Sequence, residues 1–172
     1  MRVPQPSYSE LEAPVSSLLG LQRDVMAQLL RSPALATGDV GKALEELAEA
    51  AARLAHVRRA SVWRFDDSRR NIECVDLYDA ETKTHTRGAI LSAERAPMYF
   101  KAALEERCIA AHDARTDPRT REFTDAYLVP NDITAMLDAP VIVRGKLVGV
   151  VCHEHVGSPR VWHPAEELVA GT

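Results

Sequence analysis

Cys152, His153, Glu154 and His155 stand side by side near the end of the apolar run APVIVRGKLVGVVCHEHVG (139–157), four side chains of the kinds that ligate metals or move protons. What they can do together depends on the backbone that carries them. In an extended strand successive side chains point to opposite faces, so His153 and His155 share one face and Cys152 and Glu154 the other. One ion held by all four would need a bulge. His153 with His155 would supply two ligands and require a third, with His112 or Asp113 as candidates. The i, i+4 histidine spacing of a helical zinc peptidase is missing. A Cys152–His153 nucleophilic pair fails on the same alternation, and no glycine-rich elbow or oxyanion segment accompanies the cysteine. The four residues read as polar side chains at a strand end, with no catalytic residue, no metal and no cofactor.

The elements that position them follow from length and periodicity. With 172 residues and 46% hydrophobic content, the chain can bury one substantial core, so a single domain is expected. A net charge of −4, with Lys and Arg scattered among Asp and Glu, offers no attraction for a phosphate backbone and excludes nucleic acid as a partner. No run approaches the roughly 20 apolar residues that span a bilayer, and MRVPQPSYSELE lacks the pattern of a signal peptide. The expectation is a cytoplasmic protein with no membrane partner. Cys74, Cys108 and Cys152 are odd in number and far apart, as reduced thiols are.

Residues 1–9 carry Pro4 and Pro6 and read as a flexible arm. Leu11, Val15, Leu18, Leu19, Val25, Met26 and Leu29 recur at helical spacing, giving an N-terminal helix within 10–34 that Ser32-Pro33 ends. Asp39 caps a second helix whose stripe is Leu44, Leu47, Ala51 and Leu54. The period then changes to two. RASVWRF and IECVDLY form a hairpin around DDSRRN, and a third extended segment runs from Thr84 to Leu91. RAPMYFKAALEE (95–106) returns to helix, and CIAAHDA (108–114) reads as a short buried strand. RTDPRTREFTDAYLVPNDITA cannot be one regular element, and irregular segments of such length in compact domains are often binding loops. Two strands, 136–143 and 146–155, are joined across Arg144-Gly145, and Trp162-His163-Pro164 opens a last helix. Hairpin-linked strands imply an antiparallel sheet with helices from both chain ends on one face.

With these elements in order, the chain resembles a GAF domain over about residues 35–172. The residues that carry the resemblance are RASVWRFD, IAAHDARTDPRTREF, AMLDAPVIVRGKLVGVVCHEHVG and RVWHPAEELVA, and the most specific is the small-residue, x-Leu-x-x-Pro, apolar, Gly, x-Leu-x-Gly-Val pattern from Ala135 to Val150. The CHEHVG…R.W end resembles modules of bacterial multidomain signalling proteins such as sensor histidine kinases. The resemblance implies an α+β fold with about six antiparallel strands, terminal helices on one face, and on the other a small-molecule pocket roofed by the segment between Leu91 and Ala135. It also implies a sensory role in a two-component system, with binding relayed to a fused kinase or other output domain. The last helix is short even for an ordinary one, so a trimmed module or a stand-alone protein without an output helix is expected.

Ligand classes narrow by comparison within the family. The Asn-Lys…Phe…Asp-Glu signature of cyclic-nucleotide-binding GAF domains has no counterpart, and Cys152-His153 lies on a strand where bilin-binding domains use a pocket helix. Three cysteines in a GAF-like chain are similar to the free methionine-(R)-sulfoxide reductases, yet here they sit on separate elements, as buried structural thiols do. An unidentified small molecule remains. The expected lining is Trp63, Tyr99, Phe100, Phe123, Tyr127 and Met136, with Arg121, Asn131 and His153 as polar anchors. The alternatives are a ligand-free GAF scaffold that dimerises through its terminal helices, which also supports a homodimer for the sensory reading, and a thiol-dependent reductase.

Overall fold

The computed structural model describes residues 8–171, with side chains from Ser16 onward. Positions 1–7 of the expected arm lie outside the described residues, and Tyr8 and Ser9 already belong to helix α1 (Tyr8–Leu30). Ser32 ends that helix and starts α2 (Pro33–Thr37): its Oγ accepts the Ala34 amide at 3.0 Å, and Pro33 at the first helical position loses no bond. This five-residue turn is too short to have a periodicity and is not foreseen in the sequence. Asp39 caps α3 (Val40–Leu54) as its type and place suggest, its Oδ1 accepting the Lys42 amide at 3.0 Å.

The strands β1 (Arg59–Phe65), β2 (Asn71–Asp79), β3 (Thr84–Thr86), β4 (Ile90–Ser92), β5 (Ile109–Ala111), β6 (Ile133–Val143) and β7 (Lys146–Val156) form one antiparallel sheet in the order β3-β2-β1-β7-β6-β5, with β4 also on β2. Among the described residues the sheet has seven strands, because the extended segment 84–91 divides in two. Gly88 sits at φ +90° between the halves, and Cys74 holds both sides of the break, donating to Ala89 O at 2.8 Å and accepting from Gly88 N at 2.9 Å. Arg144 and Gly145 both take positive φ, the backbone of a type I′ turn, which matches the twist of β6 and β7. Gly149 is required by its neighbour, since a Cβ there would lie 2.2 Å from the Trp63 carbonyl oxygen on β1. Pro140 lies beyond the last β5–β6 pair, Ile109 with Asp138, where the outer edge of β6 has no strand to bond.

Each face of the sheet has its own core. On one, Ala51 and Ala52 of α3 and its C-cap residue Ala55 pack against Ala60, Ala135 and Leu137, the small side chains letting helix and sheet approach closely, and Trp162 completes the cluster. Helix α1 packs on α3 and on the last helix, α5 (Pro164–Ala170). Helix α5 opens with a capping box in which His163 Nδ1 accepts the Ala165 amide and Glu166 accepts the His163 amide at 2.7 Å. On the other face, α4 (Pro97–Glu105) and the irregular segment up to β6 lie over Trp63, Phe65, Ile72, Cys74, Met136 and Cys152. The α+β architecture, with terminal helices on one face and an irregular roof on the other, is the one that the hairpin-linked order requires.

Candidate functional site

The roof is held by its own polar contacts rather than by regular structure. Arg119 donates to Asp117 and Glu106 at 2.7 Å each and to the Ala110 carbonyl at 2.8 Å, which ties the start of the loop to β5 and the end of α4. That guanidinium also holds the Asp117 carboxyl below its usual range. Glu122 accepts the Met98 amide at 3.1 Å, capping a helix whose own N-cap residue, Ala96, supplies no side-chain bond. A 3-10 turn (Arg121–Phe123) and a single π turn (Thr124–Leu128) follow. The wider π turn, closed by Val129 N donating to Thr124 O at 2.9 Å, is a form often found where function distorts a helix. It carries Tyr127 inward from the roof.

Below it, parity along the strands brings functional side chains to one face. Trp63 on β1, Met136 on β6 and Cys152 and Glu154 on β7 meet Leu91, Tyr99, Phe123 and Tyr127 around a cavity of about 10 Å³, the room of a single water. Tyr99 and Phe123 pack edge to face with centroids 5.0 Å apart. Glu154, only 1% exposed, accepts the Tyr127 hydroxyl at 2.6 Å and Arg59 Nε at 2.9 Å. Arg59 Nη2 reaches the same hydroxyl at 3.3 Å, and the guanidinium lies 5.9 Å from the Tyr127 ring centre. Burial opposes the Arg59 charge, but Glu154 and the Tyr127 oxygen outweigh it and raise the pKa. Burial pushes the Tyr127 hydroxyl far up, so it acts as a donor.

Asp138, at the end of the same row, is fully buried. Its Oδ2 accepts the Tyr99 hydroxyl at 2.7 Å, and that hydroxyl also lies 3.6 Å from Cys152 Sγ. Oδ1 has no hydrogen bond of ordinary geometry. Burial pushes this carboxyl up to about 7, against the opposing pull of Tyr99 and of the nearby Cys152 thiol. Burial also raises the thiols: Cys74 to about 12, Cys152 well above its usual value, and Cys108 upward. Protonated thiols are poor nucleophiles.

Of the residues singled out in the sequence, Trp63, Tyr99, Phe123, Tyr127 and Met136 line this cavity, and Phe100 packs behind Tyr99 with centroids 6.2 Å apart. The three polar anchors do not join them. Arg121 is exposed on the roof, and Asn131 turns back to donate to the Tyr127 carbonyl at 2.8 Å. His153 lies on the opposite face, as its parity against Glu154 demands, where its Nδ1 meets the Leu137 carbonyl at 2.6 Å and burial lowers its pKa. The carboxylate in the lining is instead Glu154, with Arg59 bonded to it and Asp138 bonded to Tyr99 behind the wall. Parity was the available signal for all three: Arg59 has the phase of Trp63, Asp138 that of Met136, and Glu154 that of Cys152. No group of three or more potential ligands that could hold a metal occurs among the described residues.

Larger hollows occur on the helical side. One of about 820 Å³ runs between α1 and α3 past charged side chains such as Asp24, Lys42 and Glu46, and one of about 400 Å³ includes His153 under α1, α5 and the β6–β7 hairpin. The first is a cleft among the helices alone, and the second lies between helices and the sheet. The buried, oriented polar groups converge under the roof.

The sequence matches the family model of the GAF domain over residues 39–171. No curated protein matches it. Among solved structures it is similar to the GAF domain of an Acinetobacter phosphoenolpyruvate-protein phosphotransferase, with 15% identity, 89% of this chain and 85% of that one covered, and a TM-score of 0.66. It is similar to the blue-light-absorbing form of the Thermosynechococcus elongatus PixJ GAF domain, at 21% identity, coverage of 81% and 84%, and TM-score 0.64. The free methionine-R-sulfoxide reductase of Neisseria meningitidis, solved with its substrate, matches at 8% identity, coverage of 99% and 88%, and TM-score 0.69. At such identities the likeness is one of fold.

Proposed function

Because this chain belongs to the GAF domain family, we propose that it works as a noncatalytic sensory domain, holding a small molecule under the roof and relaying its presence to an output domain. The observation that carries this reading is the Tyr127–Glu154–Arg59 contact: buried charge placed beneath an irregular roof, with one sheet between it and the helices α3 and α5. A ligand that enters a cavity of about 10 Å³ must move the roof, and a shift in β6 or β7 then reaches α5 through the shared core. The raised thiol pKa values favour a noncatalytic role over a thiol-dependent reductase. The output is a fused domain such as a histidine kinase of a bacterial two-component system, in the cytoplasm; among the described residues no helix is long and apolar enough to cross a membrane. Leu19, Leu21, Met26 and Leu30 of α1 are exposed, which supports a homodimer paired through terminal helices.

The same exposed residues and the small cavity favour a second reading, a ligand-free GAF scaffold whose work is dimerisation. Native mass spectrometry of the purified protein, with a thermal-shift screen of small metabolites, separates the two. The sensory reading expects a retained molecule or a compound that raises the melting temperature. A ligand-free dimer that no compound stabilises contradicts it. Replacing all three cysteines with serine leaves a sensor functional and abolishes sulfoxide turnover in a reductase.

A further inference from the structure

The side chains under the roof specify more than a generic pocket. Four aromatic rings, Trp63, Tyr99, Phe123 and Tyr127, surround a cavity whose polar wall is the Glu154 carboxylate. Aromatic rings present negative faces, and a group of them beside a buried carboxylate is an environment for a cation that sheds its water. The site already holds one such pair, with the Arg59 guanidinium 5.9 Å from the Tyr127 ring centre. The charges point the same way. Arg59 is shared between Glu154 at 2.9 Å and Asp79 at 3.9 Å, so its positive charge is already met by two carboxylates. An anionic ligand would face the Glu154 carboxylate with no unshared cation beside it, at a cost that a low-dielectric interior magnifies.

Resting on the sensory reading of this cavity, we propose that the ligand is a small organic cation, whose alkyl or methylated ammonium group sits among Trp63, Tyr99, Phe123 and Tyr127 with Glu154 as its carboxylate partner. Entry displaces the Tyr127 ring from its present place over the cavity. The Tyr127 hydroxyl then leaves Glu154, and the cation takes its position.

The test is isothermal titration of the full chain with tetramethylammonium, choline, the neutral isostere 3,3-dimethylbutan-1-ol and the anion 3,3-dimethylbutanoate. The two cations are expected to bind, the alcohol about tenfold more weakly and the acid not at all. The indole N–H resonance of Trp63 is expected to shift on binding and that of Trp162, on the far face, to stay. E154Q keeps the shape of the site and should weaken choline about tenfold while leaving the alcohol unchanged. Trp63→Leu, a second variant that keeps an apolar filler, should weaken choline more than the alcohol. Equal binding of choline and the alcohol overturns the preference for a cation but leaves the cavity as a ligand site. Binding of none of the four overturns the cation proposal, and the sensory reading itself then stands or falls on the retained-molecule and thermal-shift measurements.

Discussion

The Tyr127 hydroxyl, carried by a π turn in the roof, donates to the buried Glu154 carboxylate on β7 at 2.6 Å, a bond that fastens the π turn to the middle of the sheet. Its loss should loosen the roof without unfolding the core. Tyr127→Phe is expected to cost about 1 kcal/mol in global stability, since Arg59 still satisfies Glu154. Amide exchange over residues 121–131 should quicken more than that over β6 and β7. Equal protection in variant and parent would mean that the bond does not hold the roof.

Asp138 gives the protein a pH dependence of stated sign. Burial raises its pKa in the folded state to about 7, above the value of about 3.9 that an unfolded carboxyl has. Between these values the folded state keeps the proton and the unfolded state loses it, so stability is fully present below pH 4 and falls as pH rises towards 7, by an amount on the order of 4 kcal/mol. Asp138→Asn keeps an acceptor for Tyr99 and removes the titration. Its melting temperature should vary less between pH 5 and pH 8 than that of the parent and exceed it at pH 8. A parallel profile for the two proteins would contradict the assignment.

Arg160 fastens the end of α3 to the start of α5. It donates to the Ala55 carbonyl at 2.7 Å, the His56 carbonyl at 3.0 Å and Glu166 at 2.6 Å, and lies 4.1 Å from the Trp162 ring centre. Arg160→Ala is expected to cost about 2–3 kcal/mol, and Arg160→Lys should recover little, because an ammonium cannot make the planar fork and stack together. Chemical denaturation checks the magnitudes, and exchange of the α5 amides should show where the loss falls.

Gly149→Ala places a methyl 2.2 Å from the Trp63 carbonyl, a contact with backbone that no rotamer can relieve. A loss of about 3 kcal/mol or more is expected, against little change for Val148→Ala on the exposed side of the strand. Thermal melts of the two variants measure this. Equal melting temperatures would mean that β1 and β7 can part freely at that pair.

Most of the architecture was legible because it rests on local rules: Asp39 before an alanine-rich stripe, alternation through RASVWRF, and Arg144-Gly145 between two apolar runs. The seventh strand was not, because 84–91 reads as one extended piece and its division at Gly88 depends on bonds to Cys74, far off in the chain. The residues around the cavity could be picked out as large apolar side chains on β1, α4 and β6 and as the aromatic residues Phe123 and Tyr127 of the polar segment. Its polar half was missed for a different reason. Arg59, Asp138 and Glu154 become a site only when the register of β1, β6 and β7 puts them side by side, and letters such as His153 and Asn131 attract notice without that register.

The most direct measurement of the central claim uses nuclear Overhauser effects from a bound compound, taken as whichever molecule most raises the melting temperature, to assigned side chains of the protein. Contacts are expected to Trp63, Met136 and Phe123, all under the roof. Contacts to Leu137, Val151 and Ala139 on the helical side instead, or a complete screen in which nothing binds, would contradict it.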